Sequence, residues 1–203
     1  MNMNALKPVM LSNFLDQLVI QNELCQHGFD SWFFHEGMCF QSMEIWWNNS
    51  KKRSMPHEGV DVCFYADIDH ELKMLGTDAD IPAIFSGECI HICKDFIGET
   101  LVLGHDIYNS AGHQLLTFYA HVDTKNTISL NTRIITGDII AWIAPVSKPS
   151  VLPHLHLSVA WISPDYSIST FDWKTYHHDS RLQFCNPMNF FSYGLNPCPR
   201  FSE

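Results

Sequence analysis

Eight short runs rich in β-branched and aromatic residues follow one another along this chain: WFFHEGMCF, MEIWWN, GVDVCFY, PAIFSGECIHIC, ETLVLGHD, QLLTFYAHV, RIITGDIIAWIA and HLHLSVAWI. Gly, Pro, Asn, Asp or Ser punctuate them, which is the pattern of strands joined by turns. The runs specify a mainly β protein built on an antiparallel sheet or sandwich. Ahead of them, Phe14, Leu15, Leu18, Val19 and Leu24 fall near helical spacing, with Ser12 placed to cap a helix over 12–26 and Gly28 to stop it. The segment 67–80 reads as a short turn, a short helix or a surface excursion, and the Pro-broken NPMNFFSYGLNPCPRF as irregular. The expected division is an N-terminal helix and the segment leading into the core at 1–50, a β core at 51–164, and an irregular C-terminal extension at 165–203 that wraps the core.

With 203 residues, 46% hydrophobic and only 17% charged, the chain has the material for a folded core. Twelve Lys and Arg against 22 acids give 12 − 22 = −10, which excludes a broad basic surface for nucleic acid or an anionic membrane. No run approaches the roughly 18 consecutive apolar residues of a spanning helix, so no membrane span is expected. The first residues lack the basic, apolar and small-residue order of a secretory leader; a cytoplasmic location is therefore expected unless the chain has been trimmed. Seven cysteines, an odd number, point to reduced thiols, and Cys89 and Cys93, without a companion pair, to structural ones.

Histidine is the surplus residue: 12, as many as Lys and Arg together. In MPHEGVDV, His57 and Asp61 stand four apart at the start of an apolar run, able to share one side of an extended segment or to meet across a tight bend. In LPHLHLSV, His154, His156 and Ser158 alternate with Leu155, Leu157 and Val159, so a strand sends the histidines to one polar face and the apolar residues into the core. In FYAHVD, His121 closes another apolar run. A lone histidine is a structural residue by default, but three histidine-bearing strand ends can meet at one rim. Two imidazoles and a carboxylate would hold Zn²⁺ with a position left for water, and two spare histidines could move protons or hold a tetrahedral intermediate.

Taken in order, HEGVD, FYAH and HLHLSV, with the GD turn of TGDIIAWIA between the last two, resemble the M23 family of zinc metallopeptidases, the lysostaphin-like endopeptidases that cut peptide crosslinks of bacterial cell walls. The resemblance covers roughly residues 56–162. It implies that family's antiparallel peptidase core, with the site in a groove along one face of the sheet. Residue by residue, it implies one Zn²⁺ held by His57, Asp61 and His156, and His121 and His154 as the catalytic pair. It further implies a peptide substrate, in the family a peptidoglycan crosslink, and a periplasmic or extracellular location for a trimmed chain. Delivery by a protein partner, or regulation by one, would reconcile that substrate with the missing leader.

Two departures bear on substrate class. APVSKPSVLPHLH has no glycine where the family has a glycine-rich segment, and VCFYADIDHELKMLGTDAD adds a segment able to reshape or cover the groove. Elsewhere Gly137 reads as a turn residue and Trp142 as packing. His105 reads as structural, His91 as facing the same side as Cys89 and Cys93, and His177 and His178 as surface residues. His35 and Glu36 repeat the letters HEG without the following aspartate. The leading expectation is a zinc-dependent endopeptidase; the alternatives are a noncatalytic metal-binding or regulatory domain on the same scaffold, and a structural or transport metal-binding protein.

Overall fold

The computed structural model describes residues 11–48, 51–147, 151–176, 179–192 and 197–198; His177, His178 and residues 148–150 of the glycine-free loop lie outside them. Helix α1 spans Phe14–Gln21 and buries Phe14, Leu15, Leu18 and Val19. It ends well before residue 26 because Asn22 ties the chain elsewhere: its Nδ2 donates to Leu18 O and Asp80 O, both at 2.9 Å, and its Oδ1 accepts from Asp80 N at 2.7 Å. A 3-10 turn, Leu24–His27, follows and stops at Gly28, whose φ of +74° is the left-handed value expected of a helix-terminating glycine. Ser12 is not the cap. Its Oγ donates to Ile84 O at 2.9 Å, and its backbone pairs with the C-terminal segment at Phe190 and Ser192.

The strands are β1 (Phe29–Phe33), β2 (Val60–Val62), β3 (Phe64–Asp67), β4 (Leu72–Met74), β5 (Asp80–Pro82), β6 (Gly87–Lys94), β7 (Glu99–Tyr108), β8 (Gln114–Thr124), β9 (Arg133–Ile134), β10 (Ile139–Ile143), β11 (Leu155–Ile162) and β12 (Leu182–Cys185). The principal sheet runs β12-β11-β8-β7-β6-β9, and β1-β3-β4 form a small second sheet. All pairings between these strands are antiparallel. Along one edge of β11, β2 pairs with its first half and β12 with its second. The protein is thus mainly β and antiparallel with one N-terminal helix, as the run pattern specifies.

Period-two alternation divides the principal sheet between two cores. Leu101, Leu103, Leu115, Tyr119, Leu155, Leu157 and Val159 face the larger core, which α1 covers. Val102, Leu116, Phe118 and Ala160 face the other side, where Phe171, Trp173, Tyr176 and Phe184 of the C-terminal segment lie over them. His156 and Ser158 point to this second side, where Trp173 of the C-terminal layer meets the His156 ring.

Four further expectations need correction. MEIWWN is a turn with a single bridge at Glu44–Lys52, because Trp46 folds inward with Met38 and Cys63 instead of alternating. The C-terminal segment contributes a regular strand, β12, paired to β11. Cys25 and Cys198, 173 residues apart with Cα atoms 5.3 Å from each other, form a disulfide, while Cys39, Cys63, Cys89, Cys93 and Cys185 remain thiols. Finally, a bulge between Cys89 and His91 reverses the facing of β6, so Cys89 enters the larger core while Cys93 packs against the other.

Candidate metal centre

The register of β2 against β11 creates the site. Asp61 lies directly opposite His156, and His156 in turn lies opposite Ala120 of β8. Gly59 permits that approach: a Cβ there would meet Leu157 O, Ser158 Oγ at 2.5 Å and His156 Cε1 at 2.9 Å. With β2 drawn against β11 in this way, His57, Asp61 and His156 are all buried. His57 Nε2 lies 3.0 Å from His156 Nδ1 and 3.2 Å from Asp61 Oδ1, and His156 Nδ1 lies 2.9 Å from the same oxygen.

Outer partners fix which atom of each of the three residues faces inward. His57 Nδ1 is 3.1 Å from Cys39 O, a carbonyl that can only accept, so Nδ1 carries the proton and Nε2 offers its lone pair. His156 Nε2 is 2.9 Å from Ser158 Oγ and 3.2 Å from Glu58 Oε1, which places its proton there and leaves Nδ1 for the interior. Asp61 turns Oδ1 inward because Oδ2 is taken: Trp46 Nε1 donates to it at 2.7 Å, and Arg53 Nη2 lies 3.4 Å away. Arg53 is anchored in turn by donating Nη1 to Gly37 O at 2.8 Å and to Glu44 O.

Three acceptor atoms crowded this closely repel one another unless something positive lies among them. Their spacings of 2.9, 3.0 and 3.2 Å put each about 1.8 Å from a common centre, so the triangle fits an ion with bonds of about 2.0–2.1 Å, the length zinc makes to imidazole nitrogen and carboxylate oxygen. The cluster can therefore hold a single metal ion. Without metal a proton performs the same neutralisation. Burial alone would lower the His156 pKa, but its hydrogen bonds to Asp61 and Glu58 raise it to about 10. Burial would likewise raise Asp61 and Glu58, yet the surrounding histidines hold Asp61 well below the carboxylate range and Glu58 at about 2. Metal binding must displace that proton.

His154 and His121 flank the triangle. His154 Nδ1 is 2.7 Å from Leu152 O, so Nε2 is the acceptor, and it lies 3.7 Å from Asp61 Oδ1. Burial, against the pull of Asp61, lowers the His154 pKa to about 4 and keeps the ring neutral at physiological pH. The His121 ring is 4.9 Å from that of His154 and 5.8 Å from that of His156. Its Nδ1 meets Asp95 Oδ1 at 3.2 Å, which directs Nε2 away from the carboxylate. His121 has φ +63°, rare for a residue with a side chain, and sits where β8 bulges between its pairings Leu101↔Tyr119 and Glu99↔Val122. His57, Asp61, His156, His154 and His121, with Trp47, Phe96, Ile97, Val146 and Val151, line a cleft of about 330 Å³.

No protein-family model matches the chain, and no curated protein matches it in sequence. Among solved structures, it resembles cbpa from L. salivarius REN at 16% identity and a TM-score of 0.49, covering 78% of this chain and 86% of that one. The solution structure of lysostaphin matches at 18% identity and a TM-score of 0.47, over 87% of this chain and 61% of lysostaphin. The catalytic domain of the prophage-encoded M23 protein EnpA from Enterococcus faecalis matches at 19% and 0.42, over 81% of this chain and 97% of that domain. Scores this low leave the chemistry to rest on the side chains themselves.

The structure brings His57, Asp61 and His156 within hydrogen-bond range and sets His154 and His121 beside them. His105 is buried elsewhere, with Nδ1 3.0 Å from Ser86 O and Nε2 2.8 Å from Thr117 Oγ1. His35 accepts from Gly37 N at 3.0 Å and stands outside the cluster. Sequence reading missed Glu58, Asp95, Trp46 and Arg53. Asp95 alone left a local signal, a turn-favouring residue ahead of FIG between two strand-like runs.

Proposed function

We propose that the chain is a zinc-dependent endopeptidase in which His57 Nε2, Asp61 Oδ1 and His156 Nδ1 hold one Zn²⁺, and His121 and His154 are the catalytic pair. The observation that carries the reading is the triangle of three inward lone pairs, each with its opposite atom tied to an outer partner, beside two further histidines. Bound zinc supplies a Lewis acid that polarises a carbonyl and lowers the pKa of water. His154, neutral with Nδ1 bound to Leu152 O, presents Nε2 as a proton acceptor toward the cleft. His121 is oriented by Asp95 to face a substrate carbonyl or the nitrogen of a leaving amine. Trp47, Phe96, Val146 and Val151 give the cleft an apolar lining.

A peptidoglycan crosslink is the proposed substrate, on the strength of the ordered HEGVD, FYAH and HLHLSV motifs. The test is an assay of the zinc-loaded protein on purified peptidoglycan and on defined crosslink peptides, with H121A and H154A alongside. Turnover by the parent chain, lost in both variants while zinc is retained, is the expected result. Zinc retention without turnover by the parent chain on any of these substrates would move the assignment to a noncatalytic metal-binding domain.

A further inference from the structure

The His57-to-His156 motif region is braced by residues that lie beyond it in sequence. Tyr176 OH donates to Glu58 Oε2 at 2.9 Å, and the other oxygen of that carboxylate lies 3.2 Å from His156 Nε2. Tyr176 is seated by aromatic contacts with Trp173 at 5.7 Å and Phe184 of β12 at 5.1 Å. Trp173 stands edge-on to His156 at 5.5 Å and donates Nε1 to Thr100 Oγ1 at 2.8 Å. One end of the Glu58 carboxylate is therefore engaged by the ligand histidine and the other by the C-terminal layer.

We propose that Tyr176 is a positioning residue of the metal centre: its hydroxyl holds Glu58 against His156, and through that link the C-terminal layer sets how tightly the triad holds a cation. The proposal rests on the reading of His57, Asp61 and His156 as metal ligands. A carboxylate behind a ligating imidazole fixes ring orientation and tautomer and raises the basicity of the inward nitrogen. Glu58 borders the cleft, so without the phenol its side chain has an alternative in water. The aromatic ring supplies packing and the hydroxyl supplies orientation, and Tyr176→Phe separates the two.

The test measures zinc affinity by chelator competition for the parent chain, Y176F, E58Q and the double variant, with near-UV circular dichroism to establish that each is folded. Loss of an outer partner of a ligating histidine weakens metal binding by about 10- to 100-fold, so Y176F is expected to lose about tenfold and E58Q at least as much. Adding Y176F to E58Q should then cost less than twofold more, because the phenol acts through the carboxylate. Y176F binding zinc within twofold of the parent chain overturns the proposal, as does full additivity in the double variant. A folded parent chain that binds no zinc overturns the ligand assignment itself, a different outcome from either.

Discussion

Asp95 is expected to govern His121 and the hairpin between β6 and β7 together, and Asp95→Asn separates that role from metal binding. The carboxylate accepts from Ile97 N at 2.9 Å, Gly98 N at 2.8 Å, His121 N at 2.8 Å, Thr100 Oγ1 at 3.0 Å and His121 Nδ1 at 3.2 Å. An amide keeps only one acceptor atom. If its oxygen stays with Ile97, Gly98 and the His121 ring, its NH₂ faces the His121 N–H, which is left without a partner at a cost of about 1–3 kcal/mol. The remaining bonds lose their charge assistance, so the total loss is about 3 kcal/mol. His121 occupies a left-handed conformation that costs a residue with a side chain about 1–2 kcal/mol, and once its amide is unheld the bulge is free to relax. Urea unfolding of the metal-free protein at pH 7 should show the destabilisation, zinc affinity should stay within twofold, and turnover should fall by an order of magnitude or more. Burial would raise the Asp95 pKa, but the bonds to His121 and the hairpin amides hold it below the carboxylate range. Its contribution is thus present above about pH 4 and fades as pH falls through the folded-state value, so the gap between parent and variant narrows in acid. A variant within about 0.5 kcal/mol of the parent at pH 7 would refute the reasoning.

Gly59→Ala should abolish zinc binding without unfolding the larger core, because the new Cβ must push β2 from Leu157 O, Ser158 and His156; tight zinc binding by a folded G59A would contradict this. For His105, burial lowers the pKa to about 4 while the unfolded value is about 6.5, so the unfolded chain takes up the proton first. The stability this neutral ring contributes is complete above about pH 6.5 and drops by about 3 kcal/mol on the way to pH 4; an NMR titration midpoint near 6.5 for His105 would contradict it. Replacing both Cys25 and Cys198 by serine opens a loop of 173 residues and should cost about 5 kcal/mol in the chain-entropy treatment, against a loss below about 1 kcal/mol if the disulfide does not form.

Residues whose roles follow from local periodicity were legible in the sequence. The alternation in LPHLHLSV places His154 and His156 on one face and Leu155 and Leu157 in the core, and the strands at 99–108, 114–124 and 155–162 lie where the apolar runs are. What escaped was set by register and tertiary contact. Glu58 becomes a partner of His156 only because β2 pairs with β11, and nothing in HEGVD distinguishes it from a solvated acid. Trp46 reaches Asp61 from a turn that looks like a strand in composition, Arg53 reaches it from the segment KKRS, and Tyr176 reaches Glu58 from 118 residues away. The bulge at His121 carries no glycine to announce it; the conformation is held by Asp95, 26 residues earlier. Cys25 and Cys198 could not be paired by counting, since seven cysteines leave an odd one under any pairing.

Elemental analysis of the folded chain after equilibration with zinc and removal of excess, alongside D61A and H156A, addresses the metal centre most directly. One zinc per chain in the parent, with loss from both variants while circular dichroism shows them folded, is the predicted result. A folded parent chain that retains no zinc, or either variant retaining a full equivalent, would contradict the assignment of His57, Asp61 and His156 as its ligands.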